Sequence, residues 1–240
     1  MKKHIVLVTL VVLITLLYFF SLPKSSYSFS DGKTAIFIGD SITYGHSSDP
    51  KGYGWADFIR DNYSFKKSVN AGKSGWLVSN YKDEKWLVTQ IDKYSKDHFD
   101  YVILHGGFND ISNNVPLGSY DDNDFSGEYN TKTFIGGLEY YIYLAKETWK
   151  DAKIGYIVNY KTPNCSWIKE DKYDPYYDAL VKVLDKWNIK YMDLYHDSFY
   201  SELLEIDTDR YIVGNGDNVH LNREGYDILS PYIYEWMKSI

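Results

Sequence analysis

Apolar residues in this chain fall into short continuous runs, separated by polar stretches whose apolar positions recur at helical spacing. Residues 34–38, 67–69, 101–104, 154–158 and 191–194 read as strands. Most of these runs are near-continuously apolar, as parallel strands covered on both faces are. Between them the spacing predicts helices over 55–62, 83–94 and 134–149. Asp174 and Pro175 predict a further helix running to Trp187, with the acid as N-cap and the proline at the first position. Asn222 predicts the cap of a last helix, kinked at Pro231, whose apolar face includes Tyr226, Leu229, Ile233 and Trp236. Alternating strands and helices imply right-handed crossovers and a parallel sheet, an α/β fold. Ligands of such sheets bind beyond the carboxyl ends of the strands.

The first residues break this pattern. Met1-Lys2-Lys3-His4 precede a run from Ile5 to Phe20 without a charge, and the run extends to about Leu22. A basic flank followed by ~20 apolar residues is a signal peptide or a membrane anchor. Phe20-Ser21-Leu22-Pro23-Lys24 is bulky where a signal peptidase needs small residues. The expectation is therefore an uncleaved N-terminal anchor in the cell membrane, lysines inside and the domain extracellular, with secretion after cleavage as the alternative. The organisation read from this is an anchor or signal over residues 1–22, a Ser/Pro/Lys linker over 23–32, and one domain over 33–240. A domain of that size supports a sizeable core. The chain carries 26 basic and 33 acidic residues, a formal net charge of −7, with no basic stripe, which excludes nucleic acid as the expected partner. The single cysteine, Cys165, cannot form an internal disulfide.

Chemistry collects at the strand ends. Gly39-Asp40-Ser41-Ile42-Thr43 follows the first strand, Asn70-Ala71-Gly72-Lys73-Ser74-Gly75 the second, and Gly106-Gly107-Phe108-Asn109-Asp110 the third. Asp217-Asn218-Val219-His220 lies in a late loop after the fifth strand. A serine hydroxyl is a weak nucleophile until a histidine takes its proton, and that histidine works best when a carboxylate fixes its tautomer. Acyl transfer also needs donors aimed at a developing oxyanion, which glycine N–H groups and an asparagine amide supply. Each segment alone reads as an ordinary turn. Together, in this order, they fall on one edge of one sheet. There is no Gly-x-Ser-x-Gly elbow, Walker-type loop, His-Glu-x-x-His or paired Cys-x-x-Cys. Asp122-x-Asp124-x-Ser126-Gly127 begins like a calcium loop but carries Thr133 at the twelfth position, where a bidentate glutamate is needed. No metal or cofactor is expected.

These four segments resemble the blocks of the SGNH (GDSL-type) hydrolases, a likeness that extends from about Lys33 to the end. The resemblance implies a three-layer α/β/α, flavodoxin-like fold with a five-stranded parallel sheet. It also implies Ser41 as nucleophile, His220 as base and Asp217 as its orienter. The Ser41 and Gly75 N–H groups and the Asn109 amide would form the oxyanion hole. Phe108 stands where many relatives carry a smaller or more polar residue. Aromatic residues near these loops, Tyr44, Trp76, Phe108 and Trp167, are the candidate substrate-binding residues, and Tyr53 and Trp55 are also expected near the rim. His46, His98 and His196 read as solvent-facing, and His105 as a packing or hydrogen-bonding neighbour of the site. Asp40 and Asp110 are expected to hold loops by accepting backbone N–H bonds. The expected activity is serine ester hydrolysis on a small-molecule or glycan acyl ester, an extracellular O-acetyl group above all. An acyltransferase on the same site and a non-catalytic glycan-binding module are the alternatives.

Overall fold

The structure, a computed structural model, describes residues 28–46, 52–160, 172–197, 208–214 and 217–240. Trp167, Cys165 and the apolar segment 1–22 lie outside the described residues. Among the described residues no helix is long and apolar enough to cross a membrane.

Five parallel strands form the central sheet: β1 (Thr34–Ile38), β2 (Lys67–Asn70), β3 (Tyr101–His105), β4 (Lys153–Val158) and β5 (Lys190–Asp193). Their order is β2-β1-β3-β4-β5. β1 and β3 lie inside the sheet, and Ala35 to Ile38 and Val102 to Leu104 are wholly buried. β2 is an edge strand, which explains its polar sequence and its partial exposure.

The helices are α1 (Ser41–Tyr44), α2 (Trp55–Asn62), α3 (Val88–Tyr94), α4 (Phe108–Ser112), α5 (Phe134–Thr148), α6 (Tyr173–Lys186), α7 (Thr208–Tyr211) and α8 (Arg223–Met237). α8 packs on α2, and α5 packs on both α3 and α6, so the sheet lies between two helical layers. This is the expected α/β/α arrangement. The chain leaves β1 for the β2 side and returns to β3 on the other. In sheets of this kind such a reversal is where ligands bind, here beyond the carboxyl ends of β1 and β3.

Several local expectations are corrected. The helix read over 83–94 begins only at Val88, because the preceding residues form a turn in which Trp86 bridges to Leu77. α6 starts at Tyr173 after Lys172, so Asp174 does not cap it. Asp174 instead accepts a 2.6 Å bond from the Tyr195 hydroxyl, and Pro175 sits in the first turn, where its missing N–H costs nothing. Asn222 caps α8 as read, its side chain accepting from Gly225 N, and the helix runs through Pro231 to Met237. The late loop is also different: two short strands, β6 (Ile212–Gly214) and β7 (Asp217–Leu221), form an antiparallel pair.

The stretch before β1 packs against the domain. Phe29 lies among the rings of Phe65, Tyr101 and Tyr234, with centroids 6.1, 5.6 and 4.6 Å away. Ser30 is fully buried and bonds the Tyr234 hydroxyl at 2.9 Å. The packed unit therefore includes residues from Ser28, several positions before Lys33.

Candidate active site

Ser41 opens α1 directly beyond β1. Asp40, wholly buried, caps this short helix by accepting the Ile42 N–H at 3.0 Å, and Gly45 ends it in the left-handed conformation. The serine is thus held on a tight turn at the carboxyl end of an internal strand. Beneath it, His105 Nδ1 lies 3.1 Å from Thr43 Oγ1 and 3.5 Å from Asp40 Oδ1. Complete burial holds the His105 pKa below its ordinary value, so this ring is a neutral strut under the turn, the neighbour role read from sequence.

Strand β7 brings Asp217 and His220 to the serine. His220 Nε2 stands 2.7 Å from Ser41 Oγ. On the other side of the ring, Nδ1 is 2.9 Å from both Asp217 carboxylate oxygens. In an extended strand, residues three apart face opposite ways. Asp217 overcomes this by curling over its own backbone: Oδ1 also accepts the N–H groups of Val219 and His220, at 3.3 and 3.1 Å. Ser41 and His220 are buried, while the Asp217 side chain is about a quarter exposed.

Asn109 lies in α4, beyond β3, and Gly75 on the turn beyond β2. The Asn109 Nδ2 group donates to Trp76 O at 2.9 Å, which ties the asparagine to the residue after Gly75. Gly75 has φ of +75°, so only glycine takes this turn without strain. The turn lies directly on the serine turn: a Cβ on Gly72 would collide with Tyr44 N, and Lys73 N donates to Gly39 O at 2.8 Å. Asp110 completes the frame by accepting the N–H groups of Val78 and Ser79, both at 3.0 Å. Its complete burial pushes its pKa up to about 7, against those hydrogen bonds, which favour the charged form.

Of the aromatic candidates, Tyr44 and Trp76 are half-buried on these turns, and Phe108 is buried with its ring 6.2 Å from that of Tyr173. Trp55, expected near the rim, belongs to the core against Phe37, with centroids 5.1 Å apart. Tyr53 is stacked under the Arg223 guanidinium, 3.8 Å from its ring centroid. His46 is the residue the sequence reading missed. Its ring lies 5.0 Å from that of His220, its Nδ1 is 3.1 Å from Ser74 Oγ, and its N–H bonds Ser41 O at 2.9 Å. The signal was Gly45, whose left-handed turn folds the chain back over the serine. Among the described residues no group of His, Cys, Asp and Glu could hold a metal ion.

Similarity to known proteins agrees with this architecture. The profile of the GDSL-like lipase/acylhydrolase family matches residues 37–228. Among solved structures, a Lactobacillus plantarum protein is 20% identical with a TM-score of 0.69, over 87% of this chain and 98% of its own. A possible lipase from Chitinophaga pinensis is 19% identical with a TM-score of 0.61, over 86% and 98%. The lipase/acylhydrolase from Enterococcus faecalis is 18% identical with a TM-score of 0.57, over 86% and 96%. At such identities the structural likeness establishes the fold alone. No curated protein sequence matches significantly. The family profile spans most of the chain and includes the serine turn, the asparagine turn and the Asp-His hairpin: the chain belongs to the GDSL-like lipase/acylhydrolase family of carboxylic ester hydrolases.

Proposed function

We propose that this ester hydrolase works through Ser41, His220 and Asp217 and removes acyl groups, O-acetyl groups above all, from an extracellular carbohydrate. The observation that carries the catalytic part is the unbroken relay from Asp217 to His220 Nδ1 and from His220 Nε2 to Ser41 Oγ, at 2.9 and 2.7 Å. With its Nδ1 proton directed at the carboxylate, the ring presents a lone pair at Nε2. Nε2 takes the hydroxyl proton as Ser41 Oγ bonds the ester carbon. The tetrahedral oxyanion collapses by expelling the alcohol, which takes that proton from Nε2. Water, deprotonated by the same nitrogen, then attacks the acyl-enzyme and releases the acid and the free serine.

The oxyanion is met by the N–H groups of Ser41 and Gly75 and the Asn109 amide. Ser41 opens a helix, where the first N–H groups have no acceptor within the helix, and Asp40 takes that of Ile42. The Asn109 amide has a second N–H beyond the one given to Trp76. Half-buried Tyr44 and Trp76, with Trp167 beyond the described residues, supply faces on which sugar rings stack. The expected anchoring by residues 1–22 places this site outside the cell membrane, where such glycans are.

The test is turnover by the full chain of acetyl, butyryl and long-chain aryl esters, together with acetate release from O-acetylated polysaccharide. Preference for acetyl and release of acetate from the polymer support the reading. Preference for long acyl chains with no release would replace it by a lipase reading. Recovery of the protein in the medium with a new amino terminus between residues 25 and 30 would replace the anchor by a cleaved signal.

A further inference from the structure

Chain direction fixes which edge of the domain meets the amino-terminal segment. Residues 28–33 lie along the edge where the strands begin. Phe29 packs on Phe65, just before β2, on Tyr101, which opens β3, and on Tyr234 in the last turn of α8. Ser28 and Ser30 both bond the Tyr234 hydroxyl. Lys66 N donates to Lys33 O at 2.7 Å, and Thr34 N donates to Asp100 Oδ2 at 2.8 Å. Ser41 stands at the opposite edge, beyond Ile38. A strand rises ~3.3 Å per residue, so the nucleophile lies ~15–20 Å farther along the sheet than Thr34.

We propose that the site opens away from the membrane that anchors the chain, so that its ester is carried on a polymer or water-soluble molecule beyond that surface and not on the lipids of the same bilayer. This rests on the Ser41 esterase reading and on the anchor expected over residues 1–22, and it narrows the substrate by where its ester lies. The apolar run ends at about Leu22, which leaves residues 23–27 between it and packed Ser28. A chain spans at most ~3.3–3.6 Å per residue, so Ser28 stands within about 20 Å of Leu22. A domain of ~200 residues has a radius of gyration near 17 Å and is ~40 Å across. With Ser41 turned to the bilayer, Ser28 would be on the far side, roughly twice as far away as its tether reaches. The contacts of residues 28–30 keep the tether short, because they fix the chain to the amino edge before β1 begins. Acyl esters of a lipid lie at or below the headgroups, whereas an O-acyl group on a polymer diffuses to an outward-facing site.

The experiment uses the full chain in phosphatidylcholine vesicles and one aryl acetate in three forms: free in solution, joined directly to a phosphatidylethanolamine headgroup in the same vesicles, and joined to that headgroup through a poly(ethylene glycol) spacer longer than the domain. The ester is the same in all three, so only its height above the bilayer differs. The free and spaced esters are expected to turn over alike, and the directly joined ester ~100-fold more slowly, since it cannot be placed against Ser41. Inserting ~20 Gly/Ser residues after Ser26 lengthens the tether enough for the domain to turn over, and is expected to raise the rate on the directly joined ester. Two results overturn the proposal: a parent that cleaves the directly joined ester as fast as the spaced one, or an insertion variant in which it stays as slow. The latter would make crowding at the headgroups the cause. Failure of the underlying readings shows elsewhere. A chain that stays in solution when the vesicles sediment overturns the anchor, and one that cleaves none of the three, with Ser41 unlabelled by a phosphonate, overturns the esterase reading itself.

Discussion

Replacing Asp217 by asparagine separates the geometry of the hairpin from its chemistry. In the native site Oδ1 accepts three groups, the N–H of Val219, the N–H of His220 and the His220 Nδ1 proton, and Oδ2 also faces Nδ1 at 2.9 Å. An asparagine can keep its oxygen on the two backbone donors, which holds the hairpin. Its amide nitrogen then replaces Oδ2 and points one N–H at Nδ1. A protonated Nδ1 would meet a donor with a donor, so the ring proton moves to Nε2, 2.7 Å from Ser41 Oγ. The ring then offers the serine a proton when it is required to accept one. Comparable triads lose ~10⁴ in kcat from this tautomer error, about 5.5 kcal/mol in the barrier. The assay is kcat for an aryl acetate at neutral pH, with thermal melting as a control that the fold persists. Asp217→Asn is expected to fall by ~10⁴ with KM little changed. A loss smaller than tenfold, in a variant that melts like the parent, would refute the reasoning and require another holder of the Nδ1 proton.

Three further outcomes follow from the same structure. Asn109→Ala removes the amide proposed to meet transition-state charge, together with its bond to Trp76 O, so kcat is expected to fall by ~10²–10³ with KM nearly constant, and a change confined to KM would make Asn109 a binding residue. Asp110, with its pKa pushed up to about 7 in the folded chain, binds its proton more tightly there than in the unfolded chain, so its contribution to stability is present in full below about pH 4 and is lost as pH rises through 7. That difference, on the order of 4 kcal/mol, is expected to vanish in Asp110→Asn, and denaturant unfolding of parent and variant from pH 4 to 8 should show a pH-dependent gap where a constant one would contradict the assignment. Phe29→Ala removes a half-buried ring from the Phe65–Tyr101–Tyr234 cluster and is expected to cost about 2 kcal/mol and ~4–8 °C in melting temperature, whereas an unchanged melt would return residues 28–32 to the status of a linker.

The layers of this fold are legible in the sequence because burial on both faces leaves a plain mark. β1 and β3 read as uninterrupted apolar runs, and the turns after β1, β2 and β3 carry the glycines and polar side chains that the sheet edge collects. Other features depend on contacts that periodicity does not report. Trp55 begins α2 beside a loop and reads as a rim residue, yet its ring fills the space over Phe37. Residues 83–87 have helix-compatible spacing but are recruited by the Leu77–Trp86 bridge. The β6–β7 pair is short and mixes Ile212, Val213, Val219 and Leu221 with Gly, Asp, Asn and His in no strict alternation, so it reads as a loop. His46 is legible only through the left-handed Gly45 that folds it back, because nothing in its own neighbourhood is apolar enough to signal burial.

The central claim is that Ser41 is the nucleophile and His220 its base, and covalent labelling tests it most directly. The full chain is treated with a serine-directed aryl phosphonate and its peptides are weighed by mass spectrometry. The account predicts one adduct, on Ser41, formed at a rate that collapses in His220→Ala and absent in Ser41→Ala. An adduct on another serine, or labelling of Ser41 at the same rate without His220, would contradict it.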